Sequence, residues 1–157
     1  MKEKRNLVSC YREAGREVVA AGLGIYVYDR PQAHFNKPTK EIEDVLICHL
    51  SGGISQKFLD PAWTLGNDRA TFAQVFPLLI HLYPDNEQAR KAKFAELFKA
   101  ATACVRECKI AIDAVALALE ENLEMGRGEL RHLARSFFEE PPGRGDSCFG
   151  CGGGDYE

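Results

Sequence analysis

The sequence predicts an all-α fold of about five helices packed around one long central helix, and three observations carry that prediction. Apolar residues recur at steps of three and four through most segments. Glycine, proline and polar clusters fall between those segments and mark their ends. The one β-prone run, Ile25-Tyr26-Val27-Tyr28, has no second strand with which to pair. At 157 residues the chain has enough length for one domain with a real core. We assign residues 1–142 to a single helical domain and 143–157 to a flexible tail rich in glycine and cysteine.

The first helix is expected over residues 2–21. Leu7, Tyr11, Ala14 and Val18 form its stripe, widened by Val8 and Val19, while Arg12, Glu13, Arg16 and Glu17 face away. Gly22 and Gly24 end it. Residues 25–38 read as a short extended piece and an irregular segment that turns at Asp29-Arg30-Pro31. Thr39 then caps a helix over 40–50, with Ile42, Val45, Leu46, His49 and Leu50 inward, and Ser51-Gly52-Gly53 stops it. After a further turn, Asp60-Pro61 breaks the chain, and Trp63 in the following loop is expected to plug the edge of the core. Asp68 caps the next helix, in which Pro77 predicts a kink or an early break near residues 75–76.

The long helix is expected over residues 86–125. Phe94, Phe98, Ala101, Val105, Cys108, Ile112, Val115 and Leu119 follow each other at steps of four and three, a seam no strand could keep on one side. Asp85 supplies the cap and Gly126 a left-handed stop. From Ile110 to Leu119 the sequence is IAIDAVALAL, apolar nearly all round, so this half needs company on every side, from its own domain or from another chain. A last helix over 129–139 ends at Pro141-Pro142.

Bulk properties narrow the function. A net charge of -3 gives no general pull toward nucleic acid. No apolar run has the length that spans a bilayer, and the N-terminus has no apolar export segment, so the expected address is the cytoplasm, with its six cysteines held reduced. No nucleophile elbow, phosphate-binding glycine loop or Glu-x-x-His pair occurs.

Three features remain as candidate sites. Cys148 and Cys151, two residues apart beside glycines, form half of a tetrahedral zinc site. Cys104 and Cys108, one turn apart on the long helix, are the nearest pair able to complete it; alternatively the tail pair acts alone as a thiol arm carrying metal or electrons, or the tail is a disordered end whose two thiols have no role. Asp113 is the one carboxylate in the apolar decamer and must be paired, protonated or at a wet interface. Lys109 is its local partner, and the rival reading makes it a buried catalytic acid. Arg127, Arg131 and Arg135, spaced by fours, form a basic stripe able to meet phosphates or an acidic protein surface, or to be neutralised by Glu120, Glu121 and Glu124. Together with Ile110, Ala114 and Leu117 they make up the expected contact surface. The favoured expectation is a non-catalytic helical subunit or adaptor, bound to a protein partner or to further copies of itself.

Overall fold

The computed structural model describes residues 6–139. Its regular elements are all helical: α1 (Leu7–Leu23), α2 (Thr39–Ser55), α3 (Arg69–Leu82), α4 (Glu87–Glu107), α5 (Lys109–Glu121) and α6 (Arg127–Ser136). Short 3-10 turns at Pro31–His34, Gln56–Phe58 and Leu65–Asn67 link them. Residues 25–28, the one β-prone run, belong to no regular element and pair with no strand among the described residues.

The centre of the fold is the pair α1 and α2, which pack on each other more extensively than any other two helices. Their backbones approach closely because glycines face across the contact. A Cβ at Gly52 would lie 2.6 Å from the Arg12 carbonyl oxygen, and one at Gly15 would meet Ser55 Oγ and lie 2.8 Å from the Ser51 carbonyl. The Gly52-Gly53 pair is therefore not the helix stop that its composition predicts. Flanked by helical neighbours, both residues stay helical and α2 runs on to Ser55. Gly24 does stop α1, at φ 73°, and is the one left-handed residue among those described.

The predicted long helix is two helices. Its seam is sound, since Ala101, Val105, Cys108, Ile112, Val115 and Leu119 are all buried. It bends at Cys108, whose φ of -100° and ψ of 11° lie outside the helical basin. The cause lies in packing rather than in a helix-breaking residue: α4 rests chiefly on α2, α5 rests chiefly on α1, and one straight rod cannot follow both. Hydrogen bonds continue across the bend, from Cys108 N to the Cys104 carbonyl (3.0 Å) and from Ile112 N to the Cys108 carbonyl (2.9 Å).

Other boundaries shift for local reasons. Asn86, not Asp85, caps α4 through the Ala89 amide (2.9 Å). The second half of the rod ends at Glu121, where the Asn122 side chain accepts from the Glu124 amide (3.1 Å), and Gly126 is the N-cap of α6 instead of a left-handed stop. Pro77 sits inside α3 without ending it. Trp63 is buried as expected, and its indole N–H donates to Asp68 (2.9 Å).

Candidate functional site

The outer face of α5 carries Ile110, the most exposed large apolar side chain among the described residues. Ala111, Ile112, Val115, Ala116 and Leu119 face inward and are buried. Ile110, Ala114 and Leu117, at the i, i+4 and i+7 positions, share the opposite side; Ile110 is 85% and Leu117 50% exposed, and Ala114 is exposed too. The described residues thus leave uncovered one side of the apolar decamer.

Asp113 lies at the edge of this face and is half-buried rather than buried. It accepts from the Tyr11 hydroxyl (2.6 Å) and pairs with the Lys109 ammonium (2.7 Å). Burial alone would raise its pKa, but the hydrogen bonds from Lys109 and Tyr11 and the Lys109 charge prevail and hold it below the usual carboxylate range. Burial, helped by the same contact with Asp113, pushes Tyr11 up to about 12. Lys109 also stands 4.7 Å over the Phe58 ring, which packs edge-on against Tyr11. These contacts tie α5 to α1, and they keep Asp113 ionised.

The α6 arginines are turned toward the chain's own groups. Arg127 grips both Asp29 oxygens (3.0 and 2.9 Å). Arg131 lies 3.6 Å from buried Glu17, donates to the Val27 carbonyl (3.3 Å) and covers the Tyr26 and Tyr28 rings. Arg135 stacks on Tyr26 (4.6 Å). The carboxylates that receive Arg127 and Arg131 are Glu17 and Asp29, distant in sequence, and not the nearby glutamates 120, 121 and 124.

Beneath them His49 is buried, and neither ring nitrogen meets a hydrogen-bond partner among the described residues. Burial, reinforced by the Arg16 charge, depresses its pKa to about 3, so it is neutral near pH 7. His34 is also buried; its Nε2 accepts from the Tyr28 amide (3.1 Å) and holds the irregular segment closed.

Cys108 is buried and Cys104 half-buried. Burial, with the nearby Asp44 and Glu17 charges, pushes the Cys48 thiol far up, out of the range of reactive thiolates. Cys148 and Cys151 lie outside the described residues, as does the whole predicted tail. Among the described residues no group of three or more His, Cys, Asp and Glu side chains is placed to hold a metal ion.

Two clefts were not legible in the sequence. One, of about 430 Å³, lies between α3 and α4 and is apolar, lined by Phe72, Val75, Phe76, Leu79 and Phe94. The other, of about 420 Å³, is polar and opens where α1, Asp29 and the start of α6 meet.

No family model, no curated protein and no solved structure matches the chain. Among the described residues no helix is long and apolar enough to cross a membrane.

Proposed function

We propose that the protein is a non-catalytic helical subunit that binds a larger protein through the outer face of α5. The observation that supports this reading is the exposure of Ile110, at 85%, in line with Ala114 and Leu117 on a helix whose opposite side is fully packed. Such a stripe serves no packing purpose within residues 6–139. Covering Ile110 would contribute about 1.5–3 kcal/mol and covering half-exposed Leu117 roughly half as much, enough to anchor an interface if the surrounding contacts exclude water. Asp113 and Lys109 form a charged edge beside the stripe and fix its orientation on α1.

The test compares tagged wild-type protein with an Ile110→Glu, Leu117→Glu double variant in affinity capture from native extract. The reading expects one polypeptide held in near-equal amount by the wild type and lost by the variant, with the variant's fold intact. A wild-type chain that stays monomeric and captures nothing at stoichiometric level contradicts it.

A further inference from the structure

The polar cleft is lined by three guanidinium groups, those of Arg12, Arg16 and Arg127, against two carboxylates, Glu13 and Asp29. Arg16 and Arg127 converge on a single atom, Asp29 Oδ1, at 3.2 and 2.9 Å. Buried Glu17 shares both guanidinium groups with Asp29, at 3.1 Å from Arg16 and 3.8 Å from Arg127. Arg12 is half-buried beside them and makes no ion pair among the described residues. His49 beneath, kept neutral by burial and by Arg16, adds no charge. With Arg131, which also pairs with Glu17, the cluster around the cleft holds four guanidinium groups, of Arg12, Arg16, Arg127 and Arg131, against three carboxylates, of Glu13, Asp29 and Glu17.

The start of α6 opens into the same cleft. Gly126, its N-cap, has no side chain to accept from the first amides of that ten-residue helix, and Gly126 and Arg127 both line the cavity. Uncapped amides add partial positive charge to that of the arginines. Guanidinium forks and backbone amides are the groups that recognise phosphate oxygens, and the volume of about 420 Å³ suits a small ligand.

From this we infer that the cleft between α1, Asp29 and the start of α6 is an oxyanion site fitted to the phosphate group of a small polar molecule. Arg12 and the α6 amides supply the open donors, while Asp29 holds Arg16 and Arg127 in place from the other side. The site is distinct from the α5 face and stands or falls separately from it.

The experiment is a titration of the full chain with inorganic phosphate and with glycerol 2-phosphate, followed by amide NMR, with chloride at matched ionic strength as the reference. Saturable shifts centred on the Gly126, Arg127 and Gly128 amides are expected, with glycerol 2-phosphate binding at least as tightly as phosphate. Arg12→Gln should weaken binding by about tenfold, the loss of one charge-assisted hydrogen bond. Arg106→Gln, an exposed arginine on α4, should leave binding unchanged. Shifts that merely follow ionic strength, shifts centred elsewhere, or wild-type affinity in Arg12→Gln would overturn the assignment.

Discussion

Glu17 and Arg131 meet at 3.6 Å across the α1–α6 contact, with the carboxylate almost wholly buried. Arg16 (3.1 Å) and Arg127 (3.8 Å) complete the set around Glu17, so one inner anion organises three arginines from two helices. Breaking a buried pair by removing one partner leaves uncompensated charge inside. Glu17→Gln should therefore cost about 3–5 kcal/mol. Arg127→Lys, which spoils a bidentate grip on exposed Asp29, should cost only about 1 kcal/mol or less. Urea denaturation of both variants checks the order; equal losses would mean that Glu17 is not the anchor.

Asp68 is the second polar hub. It caps α3 through the Thr71 amide (3.1 Å) and accepts from the Thr71 hydroxyl (2.7 Å), Gln56 (2.7 Å) and Trp63 (2.9 Å). Burial would raise its pKa, but these donors, the Thr71 amide foremost, hold it below the usual range. Its contribution is therefore full above the unfolded carboxylate value near about 4 and is lost as the pH falls through the lower folded value. Asp68→Ala should cost about 2–4 kcal/mol, from the lost cap and the buried donors left without an acceptor. Emission from Trp63 should shift to the red in that variant before global unfolding.

His49 gives a separate acid response of known sign. Its folded pKa, about 3, lies below the ordinary value of 6.5, so between those two values the unfolded chain takes up a proton that the folded chain refuses. Stability should fall as the pH drops from about 6.5 toward 3. The groups that act on His49 include the cations of Arg16 and Arg127, the His34 ring and the Asp29 carboxylate. In His49→Leu the dependence between pH 6.5 and 5, above the carboxylate range, should flatten by about one proton. An unchanged slope would mean that His49 is not the group being titrated.

Gly52→Ala tests the close contact of α1 and α2. The added methyl would stand 2.6 Å from the Arg12 carbonyl oxygen, which belongs to a helix and cannot swing away. Alanine favours helix, yet the clash should dominate and destabilise by about 1–3 kcal/mol. A more stable variant would show that the two helices are not in tight register.

What could be read from the sequence follows the range over which each signal acts. Periodicity places Ile112, Val115 and Leu119 inside because it depends on one helix alone. The caps at Asp68 and Gly24 are equally local. The bend at Cys108 is not, since no glycine or proline marks it and its cause is the separate seating of α4 on α2 and α5 on α1. Gly52 and Gly53 mislead for the same reason: the partner across the contact decides whether a glycine ends a helix or lets another approach. Arg127 and Arg131 are visible as a stripe, but their acceptors, Asp29 and Glu17, lie about a hundred residues earlier and are found only once α6 docks. The polar cleft, assembled from α1, Asp29 and α6, has no signature in any single segment.

The exposed stripe on α5 carries the functional reading, and photo-crosslinking tests directly whether a larger partner sits on it. A photo-crosslinking residue at position 114, between Ile110 and Leu117, should form one discrete adduct with a larger polypeptide in native extract, while the same residue at exposed position 106 on α4 should form none. No adduct at 114, equal labelling at both positions, or an adduct of twice the chain's own mass would contradict a larger partner seated on that face.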